Sequence, residues 1–102
     1  MTEPLLLSAA NGRNEITFEA YDTPQWHSAI EWLRREGFTE SGVPVVGLDG
    51  EILPSYARQG VTIAAGFDIW SGNYLLAECD NGDEVILKVA NHVSANDRRS
   101  VA

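Results

Sequence analysis

From Gly60 to Val89 the chain reads GVTIAAGFDIW, SGN, YLLAEC, DNGD, EVILKV. Three apolar runs separated by two short polar, glycine-containing breaks predict three consecutive antiparallel strands joined by tight turns. With Ser71-Gly72-Asn73 as a three-residue loop, Trp70 stands opposite Tyr74; with Asn81-Gly82 as a two-residue turn, Asp80 stands opposite Asp83. Alternation then sorts the side chains between the faces. One face carries Val61, Ile63, Ala65, Phe67, Ile69, Leu75, Ala77, Cys79 and Ile86, and is the expected core. The other carries Trp70, Tyr74, Leu76, Val85, Leu87 and Val89, with Thr62, Asp68 and Glu78 among them. A sheet that is apolar on its second face calls for a cover, supplied by the chain itself, by a second copy or by a partner.

The segments before this meander read as shorter elements. Leu5 to Ala10 and Glu15 to Ala20 form a hairpin about Asn11-Gly12, the second strand alternating Ile16, Phe18 and Ala20 with Thr17 and Glu19. A helix follows, started either by Thr23 as cap with Pro24 as first helical residue, or by Asp22 as cap with Tyr21 stapled on Trp26. It runs to about Glu36 and stops at Gly37, burying Trp26, Ala29, Ile30 and Leu33, with Trp32 on its edge and His27, Glu31 and Arg35 opposite. Phe38 to Gly42 reads as a loop. Val43 to Leu48 turns at Asp49-Gly50 into Glu51-Ile52-Leu53, an edge hairpin marked by Pro44 and Pro54. Ser55 to Gly60 reads as a connector or single helical turn, and 94–102, without apolar periodicity, as a frayed tail. The expected fold is thus α+β, with residues 1–93 forming one domain in which one helix packs on a mainly antiparallel sheet: hairpin, helix, hairpin, three-stranded meander.

Charge narrows the partners. The net charge is −8, and between Glu36 and Asp97 ten carboxylates face only Arg58 and Lys88. Such a field repels nucleic acid and steers toward basic proteins. No run approaches a membrane span and the opening MTEPLLLSAANG has no basic leader region, so a cytoplasmic protein is expected. A single cysteine, Cys79, excludes an internal disulfide and a cysteine-based zinc site.

No constellation carries recognisable chemistry, and neither a catalytic residue, a metal nor a cofactor is expected. Glu78, Asp80, Asp83 and Glu84 gather about one turn, but their spacing does not fit a twelve-residue calcium loop and suits a solvated, partner-facing acidic tip. His27 and Glu31 at i, i+4 fit a surface pair better than a general base, with only His92 as a further histidine. Cys79 mid-sheet beside Ala65 and Ala77 reads as a small buried hydrophobe. Gly47-Leu48-Asp49-Gly50 lacks the lysine and the strand-to-helix setting of a phosphate loop.

Large aromatic anchors flanked by carboxylates have the composition of a recognition surface. The expectation is a small, acidic, non-catalytic protein-binding protein of inhibitor or immunity type, docking on a basic partner such as a toxin nuclease through Trp70, Tyr74, Asp68 and Glu78 with the tip Asp80, Asp83 and Glu84. The alternatives are a nucleic-acid-mimicking inhibitor, an accessory subunit or homodimer that covers the same face, and a small enzyme or ligand carrier using His27, Glu31 or His92.

Overall fold

The computed structural model of the chain describes residues 5–9 and 12–101. Along them run β1 (Leu5–Ser8), β2 (Asn14–Thr17), α1 (Pro24–Arg35), β3 (Thr39–Ser41), β4 (Val45–Val46), β5 (Gly50–Arg58), β6 (Val61–Asp68), β7 (Gly72–Ala77) and α2 (Asp80–Val101). The strands pair antiparallel in one sheet ordered β1-β2-β7-β6-β5-β3, and β4 also pairs with β5. The fold is α+β, as the patterning requires, with two helices rather than one.

The opening hairpin closes through the Ala9 N–H donating to Arg13 O (2.8 Å) and the Gly12 N–H donating to Ala9 O (2.9 Å); Asn11 of the expected turn lies outside the described residues. Because β2 pairs with β7 (Ile16 with Leu75), this hairpin extends the meander's sheet instead of starting a second layer. Thr23 caps α1, its Oγ1 accepting the Trp26 N–H at 3.1 Å with Pro24 in the first turn. Tyr21, freed from the alternative staple, packs edge-to-face on Phe67 with centroids 4.9 Å apart. The helix ends at Gly37 (φ 92°): the Gly37 N–H donates to Arg34 O and the Phe38 N–H to Leu33 O, the paired bonds of a Schellman stop.

The third meander strand is the main correction. Asn81-Gly82 is no hairpin turn and Glu84 to Val89 no strand; both belong to α2, which continues through 94–101, the segment expected to fray. Val85, Ile86, Val89 and Val93 are buried and recur at helical spacing, while Leu87 and Lys88 between them are exposed. Val and Ile favour strands locally, but this stripe buries completely only as a helix laid on β2, β7 and β6 beside α1. Asp80 and Asp83 in the first turn suit the positive end of the helix dipole. Gly82 lets that turn approach the sheet: a Cβ there would sit 3.3 Å from the Ala77 Cβ and 3.4 Å from Ile63 Cδ1. Cys79 accordingly lies half-buried at the helix start, not mid-sheet.

Two smaller corrections concern the strands. The segment from Ser55 to Arg58 is no connector: β5 continues through it, across an irregularity between Leu53 and Tyr56 where Pro54 withholds an N–H from the ladder. Residues 39–41, read as loop, pair with β5 as β3, and Gly42 to Pro44 separate β3 from β4 along that edge. Phe18, Trp26, Ala29, Ile30, Leu33, Ile63, Leu75, Ala77 and Ile86 share one core, so both helices cover the same face of the sheet. Phe18 and Trp26 meet edge-to-face at 5.4 Å within it.

Candidate interaction surface

The turn between β6 and β7 is centred on Ile69, Trp70 and Ser71, with Asp68 opposite Gly72 and Gly66 opposite Tyr74. The expected pairing of Trp70 with Tyr74 is displaced by four positions; an even displacement leaves the paired residues of β6 and β7 on the faces that alternation assigns them, while Ile69, expected on the core face, falls in the turn and is exposed. The cause is the Asp68 carboxylate. Its Oδ1 accepts the Trp70 N–H at 2.9 Å and the Ser71 N–H at 2.6 Å, closing the turn two residues earlier than the glycine suggests. Gly72 follows at φ 75°, with no room for a Cβ, which would stand 2.2 Å from the Ala20 nitrogen.

Held this way, Trp70 is 76% exposed and Ile69 stands beside it, 59% exposed. The tip of the β4–β5 hairpin adjoins them, tied on by the Ile69 N–H donating to Asp49 O at 3.0 Å. That tip exposes Val43, Val45, Val46 and Leu48, and Ile52 on the following strand. A groove of about 320 Å³ runs between the two tips, lined by Val45, Ile52, Asp68, Trp70 and Tyr74 together with Asp49 and Glu51. A second depression of about 220 Å³, between Val46, Leu48, Phe67 and Ile69, flanks the same hairpin. Among the described residues no lysine or arginine lines either one. Tyr74 lies half-buried in the groove wall with its ring over Gly66, whose backbone could not carry a Cβ beneath it.

Burial, then the charges of Asp68 and Glu15, push the Tyr74 hydroxyl above its ordinary value. Partial burial, then Asp68, likewise push the Glu15 carboxyl up. Asp68 and Glu15 thus set two carboxylates within electrostatic reach of Tyr74.

Of the residues singled out by sequence, the structure brings together Asp68, Trp70 and Tyr74. Glu78, Asp80, Asp83 and Glu84 stand at the other end of β7; Glu78, Asp80 and Glu84 are exposed, and Asp80 and Asp83 are engaged in ion pairs. Arg13 Nη1 bridges Asp80 Oδ1 (2.6 Å) and Asp83 Oδ2 (3.0 Å). The Asn14 N–H donates to Asp83 Oδ1 at 2.8 Å, and Asn14 Nδ2 to Asp83 O at 3.1 Å. The backbone bond from Asn14, then Arg13, hold the Asp83 carboxyl below its ordinary value. The expected acidic tip is thus a clamp joining the first hairpin to α2. Val85 and Val89, placed by the strand reading on the second face, belong to the core.

The exposed Val45, Val46, Leu48 and Ile52 escape the sequence reading because it allows Val43 to Leu53 to fold as a cover, and Ile69 because alternation assigns it to the core face. The signal was present: four apolar residues crowd a Pro- and Gly-broken edge hairpin too short to bury them. His27 Nε2 lies 2.8 Å from Asp22 Oδ1, not on Glu31, and His92 stacks obliquely on Trp32 at 6.3 Å. Among the described residues no three His, Cys, Asp or Glu side chains converge as metal ligands, and no helix is long and apolar enough to cross a membrane. No protein-family model matches the chain, and no curated protein or solved structure matches it.

Proposed function

We propose that this chain is a non-catalytic protein-binding domain of inhibitor or immunity type, which acts in the cytoplasm and docks on a basic partner, such as a toxin nuclease, through the end of the sheet around Trp70. The observation that supports this reading is the union of exposed Trp70, Val45 and Ile52 with Asp68, Asp49 and Glu51 in one groove that no lysine or arginine among the described residues lines. Apolar anchors of this kind supply hot-spot energy once water is excluded, and rim carboxylates accelerate encounter with a positive surface. The distant Glu78 and Glu84 contribute to the long-range field, and the net charge of −8 argues against direct nucleic-acid binding.

Replacement Trp70→Ala tests the proposal. Capture of a basic protein by the wild-type chain should weaken by about 2 kcal/mol or more, as for a hot spot. Melting temperature should stay where it is, because the indole is 76% exposed. Lost thermal stability with unchanged affinity would refute the assignment. Sedimentation of the isolated chain as a dimer, abolished by the same replacement, would give this surface to a second copy instead.

A further inference from the structure

We infer that the groove between Trp70 and Tyr74 is a receptor for a single guanidinium group, an arginine side chain presented by the partner. As to the partner, this rests on the docking reading above; as to the site, it rests on the groove's own chemistry. Two aromatic side chains flank the groove, Val45 and Ile52 offer an apolar bed for a methylene stem, and Asp68 and Glu51 supply negative charge. A cation set against an aromatic face gains from the ring quadrupole, and more when partly desolvated. Asp68 spends Oδ1 on the turn, while Oδ2 accepts no hydrogen bond among the described residues. The carboxylates of Asp68 and Glu15 act electrostatically on Tyr74 in the groove wall, so a positive charge placed there would meet both.

The molecule contains both halves of such a site already filled. At the clamp, the Arg13 guanidinium bridges Asp80 and Asp83; on the far side of the sheet, the Arg58 guanidinium lies over the Phe38 ring, 4.8 Å from its centroid. The Trp70 groove combines a ring with carboxylates, and no guanidinium among the described residues lines it. Arginine fits better than lysine because its planar, weakly hydrated head stacks on indole and hydrogen-bonds a carboxylate at the same time.

The test is a nuclear magnetic resonance titration of the full chain with Nα-acetyl-arginine methylamide, beside the citrulline and lysine counterparts. The expected result is saturable movement of the Trp70 indole and Tyr74 amide signals with arginine, several-fold weaker binding of lysine, and none of citrulline, which keeps the shape without the charge. Asp68→Asn retains an oxygen for the turn and removes the charge, so affinity should fall roughly fivefold. Glu15→Gln, remote from the turn, should weaken binding less and in the same direction; Trp70→Ala should abolish saturation. Equal binding of citrulline, movement confined to other residues, or no movement at all would overturn the inference. If arginine fails while Trp70→Ala still abolishes partner capture, the guanidinium assignment falls and the docking reading stands; if arginine binds and capture ignores Trp70→Ala, only the docking reading falls.

Discussion

The two ends of β7 are built from similar residues and put them to opposite use. At the Ala77 end, Asp80 and Asp83 are consumed by Arg13 and Asn14, and their charge is converted into a joint between the first hairpin and α2. At the Gly72 end, Asp68 is half spent on a turn that thrusts Trp70 outward, and the carboxylates beside it meet no cation among the described residues. Acidic residues close together in sequence thus indicate nothing about function until their partners are known. The cluster that looks like a binding tip is structural, and the isolated Asp68 sits at the surface left open.

Replacements at the two ends and in the core between them test this contrast. The largest loss is expected for Ile86→Ala, which empties a fully buried site under α2 and should cost about 3 kcal/mol in denaturant unfolding; an effect no greater than that of Leu87→Ala would contradict the helix packing. Asn73→Ala comes next. Asn73 is buried, its Oδ1 accepting the Asp22 N–H at 2.7 Å and its Nδ2 donating to Gly66 O, so the chain entering α1 would lose its side-chain tie to β7 at about 2 kcal/mol while the backbone bond from the Asn73 N–H to Ala20 O remains.

The charged groups give smaller effects with opposite pH signatures. Asp83 titrates below its ordinary value of 3.8, so its contribution is complete above that value and is lost as pH falls through the lower, folded value. Asp83→Asn should therefore lower the melting temperature at neutral pH and flatten its acid dependence. Glu15 titrates above its ordinary value of 4.5, so its contribution is present below that value and is lost as pH rises through the raised one. Glu15→Gln should raise the melting temperature slightly at neutral pH, a gain that vanishes in acid. Identical pH profiles for the two variants would erase the distinction between the ends. The smallest change belongs to Trp70→Ala, whose stability should stay within about 0.5 kcal/mol of wild type despite the loss of the largest side chain at the open end.

Much of this was legible from local signals. Thr23, Pro24 and Gly37 bracket α1 because capping chemistry involves only residues a turn apart. The faces of β6 and β7 follow from alternation and survive an error in the turn, because the turn moved by an even number of pairings. The α2 segment was misread because Val85, Ile86 and Val89 look like strand residues beside an Asn-Gly pair. The competing signal, a stripe at helical spacing, ends at Val93, next to a segment whose polar composition suggests fraying.

The sequence by itself therefore determined the α+β class, the amphipathic first helix, the core face of the central strands and the acidic field, all set by nearest neighbours and side-chain period. Only the tertiary structure decided that residues 84–89 are helical, that Arg13 reaches Asp80 and Asp83 across more than sixty positions, and that the β4–β5 tip stands beside Trp70 without covering it. Each of these depends on which distant surface or charge a segment meets, and pairings over such separations leave no periodic trace in the chain.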